Sequence, residues 1–236
     1  MIDGLPFYVP AVFFLTTLAT IWFLVSAARS VRREALPFKL LIFLIPLWMV
    51  LTDLLATTDF YRTNALPPRV PFFAVLPSVI TIHVYFVFFR QGFVDKLSLK
   101  TLTLLHLIRF PVELVLHWLY EGGQVPRIMT YEGWNFDILS GLTAPLVYWV
   151  AFRGGRTNRT LLIVWNLLTL GLLINIVAIA FMSFPSPIQR FGFDQPNVGL
   201  TYLPFIWLAS IVVPIVLFAH LASLYNSLRT QPSQSI

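Results

Sequence analysis

Residues 101–120, TLTLLHLIRFPVELVLHWLY, form a hydrophobic run long enough to cross a bilayer, yet the run carries His106, Arg109, Glu113 and His117. An α-helix turns about 100° per residue, so relative to His106 the other three fall at about −60°, −20° and +20°. They share one stripe about 16 Å long, and Tyr120 extends it at about −40°. An Arg or Asp at the centre of a membrane helix costs roughly 2.5–3.5 kcal/mol, even on the lenient insertion scale. Such a stripe cannot face lipid cheaply. It has to face protein or water, which demands several helices around it.

The rest of the chain supplies them. Hydrophobic residues make up 58% of the 236 and charged residues only 11%, where a soluble domain carries about 25% charged residues. Apolar runs of about 20 residues recur along the chain. Seven spans are predicted, at roughly 7–28, 37–58, 71–90, 101–120, 135–152, 160–183 and 201–224. The predicted fold is all-α: a polytopic seven-transmembrane-helix bundle forming one domain over residues 1–225. A short cytoplasmic tail at 226–236, polar in sequence, is expected to be disordered. Before the first apolar run the only charged side chain is Asp3, and Arg29, Arg32 and Arg33 follow it, so that run reads as an uncleaved helix.

Orientation follows from Lys and Arg. Arg29, Arg32, Arg33, Lys39, Arg90, Lys96, Lys100, Arg153, Arg156, Arg159 and Arg229 fall on one side of the predicted spans. Arg62, Arg69, Arg127 and Arg190 fall on the other. The positive-inside rule then predicts the N-terminus outside and the C-terminus cytoplasmic. The net charge of +6 is explained by this topology, and no nucleic-acid partner is expected. The expected surroundings are the lipid bilayer of a plasma membrane.

Polar groups at depth form two levels joined by the span-four stripe. Asp53 and His117 come out in the outer third, with Asp137 and Asn175 near them. Glu113 is near the midplane, with Arg109 just below it. His106, His83 and Asn166 lie on the inner side, and His220 is close to the cytoplasmic end. Arg109 and Glu113 are four apart, so they can pair within their helix or reach neighbouring helices. Asp53 reads as a buried partner of Arg109 or His117, or as a titrating group in its own right. Pro111 cannot donate to the Leu107 carbonyl and leaves that acceptor to be satisfied. In MTYEGWNFDILSGLTAP (129–145), Asn135 is placed to cap a helix with Asp137 in its first turn. Gly141 and Ala144 give that helix a small-residue face. Glu132, Asn135 and Asp137 could also form the rim of an outward-facing vestibule above His117 and Asp53.

The run RFPVELVLHWLY, followed by VPRIMTYEGWNFDILSGLTAP, resembles small uncharacterised bacterial integral membrane proteins. The resemblance covers roughly a fifth of the chain. It implies a multi-span protein of a bacterial inner membrane and carries no activity with it.

The functional reading drawn from these residues is a transporter or proton/ion pathway for a small ion or polar small molecule. Glu113 and Asp53 would titrate, His106 and His117 would relay, and Arg109 would tune them. Two alternatives stay open. One is a sensor or assembly subunit that binds a partner or lipid, with the span-four charges as scaffolding. The other is a membrane-embedded metal-dependent enzyme drawing on His117, Asp53 and Asp137, although neither an HExxH nor a GxSxG motif occurs. A haem protein would use His83 and His106 as axial ligands. No lysine lies in the seventh span, which disfavours a retinal Schiff base, and no cofactor is expected. There are no cysteines, so thiolate chemistry is absent.

Overall fold

A computed structural model describes residues 2, 4–63, 66–155 and 157–229. Among them there is no strand, and the fold is all-helical. The rods are α1 (Tyr8–Ala27), α2 (Leu36–Thr57), α3 (Pro71–Phe88), α4 (Leu99–Glu121), α5 (Ile138–Phe152), α6 (Arg159–Ser183) and α7 (Leu208–Leu228). All except α5 are long and apolar enough to cross a membrane. The tail predicted at 226–236 lies outside the described residues from position 230 onward.

Helix starts follow local chemistry. The Ser98 hydroxyl accepts from the Thr101 amide at the start of α4, and the Asn158 side-chain oxygen accepts from the Leu161 amide at the start of α6. Pro37 and Pro71 occupy the first turns of α2 and α3, where a missing N–H costs nothing.

The interior prolines leave local signatures. π-Helical turns span Pro71–Val75, just before Pro77, and Leu208–Val212, just before Pro214. A 3-10 turn at His106–Ile108 precedes Pro111. Each proline withholds a donor from the carbonyl four residues earlier. For Pro214 that carbonyl is Ser210, and Ser78 on α3 supplies the missing donor, Oγ to O at 2.8 Å.

α4 and α7 form the centre. Along their apolar stretches α4 and α7 are 61% and 72% buried, against 17% for α2 and 11% for α3. α4 packs on α1, α5 and α7, and α7 packs on α6 as well. The outward faces of α2 and α3 carry Phe43, Leu54, Ile80 and Phe88, all exposed. An apolar surface of that extent would drive aggregation in water and is what a lipid-facing helix requires. One end of the bundle is tied by Ser98 N to Ala27 O (2.9 Å), Asn226 Nδ2 to Val94 O (2.9 Å) and the Arg229–Asp95 ion pair (3.2 Å). This end carries the basic loops. The opposite end is tied by Gln195 Nε2 to Tyr120 O (2.9 Å) and by Gly199 N to Gln124 O (2.8 Å).

α5 departs from the predicted span at 135–152. It is 15 residues long, about 22 Å, short of a hydrocarbon core of about 30 Å. The chain before it folds back into the bundle rather than continuing as helix. Met129, Thr130 and Asn135 are at most 1% exposed. This irregular backbone satisfies itself internally, through Thr130 N to Arg127 O (2.9 Å), Gly133 N to Thr130 O (2.9 Å) and Trp134 N to Ile128 O (3.2 Å). Non-helical backbone at such depth is tolerated where protein surrounds it. Gly141 sets how closely α5 approaches α4: a Cβ there would lie 2.7 Å from the Phe110 amide nitrogen.

Candidate functional site

The 3-10 turn changes how the α4 stripe is laid out. A 3-10 helix turns about 120° per residue, so residues three apart eclipse. His106 and Arg109 therefore point the same way, while Glu113 keeps the offset of about 40° from Arg109 that four α-helical residues give. The partners that reach each side chain divide the stripe into two sites.

The first centres on Arg109, which is 2% exposed. Its guanidinium forks onto Asp137: Nε donates to Oδ2 at 2.6 Å, and Nη2 donates to Oδ1. Nη2 also donates to the Thr169 carbonyl at 3.1 Å, and Nη1 meets His220 Nε2 at 3.0 Å. Four of the five N–H groups have partners, which suits Arg and no other cation. Since Arg109 can only donate, His220 Nε2 accepts, and His220 Nδ1 donates to Asn166 Oδ1 at 2.9 Å. Asn166 Nδ2 donates to the Leu162 carbonyl at 2.8 Å, closing the chain on α6. His106 stacks on His220 with ring centroids 4.0 Å apart, and Trp165 meets His106 edge-on at 5.2 Å. Both His106 ring nitrogens are buried without a partner among the described residues.

The second centres on Glu113, 1% exposed. Asn135 Nδ2 lies 2.7 and 2.6 Å from its two oxygens and 2.9 Å from the Met129 carbonyl. With two hydrogens for three acceptors, one N–H is shared between the carboxyl oxygens. Asn135 Oδ1 accepts from the Asp137 amide at 3.0 Å, which fixes the amide orientation and links the two sites across one turn of chain. Arg109 and Glu113 do not pair with each other. Asp137 takes the guanidinium, and Glu113 is left with a neutral amide. The site thus holds two acids and one permanent cation.

Glu113 and Asp137 also line a cavity of about 60 Å³, otherwise walled by apolar side chains including Val112, Leu116, Leu173 and Ile176. A water needs about 10–15 Å³ of such space.

The remaining predicted residues go elsewhere. Asp53, on α2, accepts from Trp207 Nε1 at 2.6 Å and touches neither Arg109 nor His117. His117 stacks on Tyr131 at 4.9 Å and lies 3.6 Å from Glu121 and 3.9 Å from Glu132. Glu132 is exposed and sits 3.6 Å from Arg127. Asn135 and Asp137 are 0% and 5% exposed; the backbone turn between them draws both inward, away from any rim that Glu132 forms. Asp53, His117 and Asp137 thus have three separate sets of partners. Among the described residues no group of three or more His, Asp or Glu side chains is arranged to hold a metal ion. His83 is exposed on α3 while His106 is fully buried, so they do not share an enclosed space.

His220, Asn166 and Thr169 complete the site without having been singled out for it. The predicted span at 201–224 puts His220 about 28 Å from its start. The helix begins at Leu208, after a 3-10 turn and an irregular stretch, so His220 stands only about 18 Å along it. Proline at 204 was the available signal for a later start.

Residues 68–228 match the family described as Domain of unknown function (DUF8737). The chain belongs to this family. The matched segment takes in α3 through α7, and with them every member of the Arg109 and Glu113 clusters. Within DUF8737 the site is therefore contained in the family's own segment, whereas Asp53 lies outside it. The stretch 109–145 that resembles uncharacterised membrane proteins falls inside the same segment. No curated protein and no solved structure matches the chain.

Proposed function

We propose that this DUF8737 protein is a membrane-embedded proton or ion pathway, in which Glu113 is the group that gains and loses the mobile proton. The observation that carries the reading is the cavity bounded by both carboxylates, with Glu113 lacking a cation of its own. An unpaired buried carboxylate costs several kcal/mol, and one bound proton removes that cost. Arg109 and Asp137 then act as a fixed pair that sets the field at Glu113. The shortened α5, entered through an irregular segment, supports this reading, because discontinuous helices line substrate and ion sites in transporters.

Purified protein in liposomes, given a pH jump, is expected to move protons or accompanying ions. Glu113→Gln keeps an acceptor for Asn135 and removes the titrating oxygen, so flux should fall at least tenfold while the variant stays folded. Equal flux in both proteins sinks the pathway reading. The nearly saturated guanidinium of Arg109 favours a second reading, a sensor or assembly subunit locked by its ion pair. Under that reading neither protein moves anything, and Glu113→Gln alters stability alone.

The topology proposed is seven spans with the N-terminus outside a bacterial inner membrane. α5 and the segment before it together make one crossing, and the basic loops are cytoplasmic by the positive-inside rule. The chain lacks cysteine, so single-Cys variants carry no background. In intact cells a membrane-impermeant maleimide is expected to label Thr63→Cys and Glu121→Cys, and to leave Ser30→Cys and Gln91→Cys unlabelled until lysis. The reverse pattern inverts the topology, and labelling of Glu121 and Ser30 alike breaks the seven-span count.

A further inference from the structure

We propose that the bundle end opposite the basic loops carries a binding pocket for a small oxyanion, a carboxylate or phosphate group, centred on Arg69. The pocket is a cavity of about 180 Å³ lined by residues 61–63 and 68–71 on one side and by 184–186, 198, 201 and 202 on the other, with Arg62, Arg69, Tyr61, Ser186 and Tyr202 on its wall. It shares Phe184 with the Glu113 cavity but none of that cavity's polar residues, so binding here stands independently of the pathway reading.

The charges in the pocket do not balance. Arg62 is ion-paired with Asp59, and its guanidinium lies 4.4 Å from the Tyr202 ring centre. Arg69 has no carboxylate partner among the described residues. Its Nη1 donates to the Phe60 carbonyl at 3.0 Å, and the guanidinium lies over the Phe60 ring at 4.5 Å. The cavity wall thus holds two guanidiniums and no carboxylate, and most of the Arg69 donors are unspent.

Two hydroxyls add to the donor set. Tyr61 Oη and Ser186 Oγ are buried without a partner among the described residues. Burial, with the Asp53 carboxylate second, pushes the Tyr61 phenol up to about 12, so it stays a neutral donor across the physiological range. An oxyanion supplies the lone pairs that these groups lack, and the planar guanidinium fork matches a carboxylate or phosphate edge. A cation would be repelled, and an apolar ligand would leave the donors as they are.

The test is titration calorimetry on the full chain in phosphatidylcholine nanodiscs, with inorganic phosphate and succinate as probes. Saturable binding is expected for at least one, weakened at least tenfold by Arg69→Gln and unchanged by Arg190→Gln, which removes an exposed cation away from the cavity. Repeating the titration in discs containing phosphatidylglycerol separates the sources. Competition assigns the pocket to a lipid headgroup phosphate, and its absence assigns a free anion; either result upholds an oxyanion site. Should Arg69→Gln fail to fold, Ser186→Ala carries the test, with an expected loss of at least threefold. The proposal is overturned if neither probe binds saturably, or if the folded pocket variant binds as the wild type does.

Discussion

Replacing Asp137 by Ala is expected to destabilise the protein by about 3–5 kcal/mol, because it leaves the Arg109 guanidinium buried without its counter-ion. Arg109 is 2% exposed and Asp137 5%, so neither charge is screened by solvent. The His220 ring and the Thr169 carbonyl remain as partners, but both are neutral. Arg109→Lys should behave similarly, since an ammonium cannot fork onto Asp137 while also reaching His220 and Thr169. The discriminating variant is the double replacement Arg109→Met with Asp137→Leu. Exchanging a whole buried ion pair for apolar side chains of similar volume is often neutral or stabilising, so the double variant should recover most of the loss. Denaturant titration in detergent measures all three. If the double variant is as unstable as Asp137→Ala, the loss comes from something other than the orphaned charge.

Gly141→Ala is the second large effect. The added Cβ would meet the Phe110 amide nitrogen at 2.7 Å and the Phe110 Cβ at 3.1 Å. The first contact is backbone, which no rotamer change relieves, so α5 must move off α4. Overpacking of this kind costs about 1–3 kcal/mol. The shift should also loosen the Asp137 fork, which lies one turn earlier on the same face. Gly171→Ala is the matched control. Its Cβ would meet nothing within 4 Å, and Ala exceeds Gly in helix propensity by about 1 kcal/mol. The two substitutions are chemically identical and should move stability in opposite directions. A loss of equal size at both positions would show that helix flexibility, and not the close α4–α5 approach, is what Gly141 provides.

The same pair of helices separates what was legible in the sequence from what was not. That residues 101–120 form a buried helix follows from composition alone, because the energy of Arg109 and Glu113 in lipid forces them inward whatever the neighbours are. The positions of the apolar runs, and the choice of which run is central, come from the same argument. Gly141 was readable as a point of close contact, since only small residues let membrane helices approach.

What the sequence could not supply is the assignment of partners. Spacing of four made Arg109 and Glu113 candidates for each other, yet Asp137 takes the guanidinium from 28 positions away. Two adjustments decide this, and each depends on tertiary packing, while the 3-10 turn at His106–Ile108 brings His106 into line with Arg109. The irregular segment at 122–137 lets α5 begin inside the bundle, because the neighbouring helices exclude lipid from its backbone. The later start of α7 then brings His220 to the level of Arg109. The sequence by itself determined how many charges must be buried and on which helix they sit, since desolvation is a property of each residue. Which charge meets which partner was decided only by the tertiary structure, because a shift of one turn in a neighbouring helix moves a side chain by about 5 Å, more than the full length of a hydrogen bond.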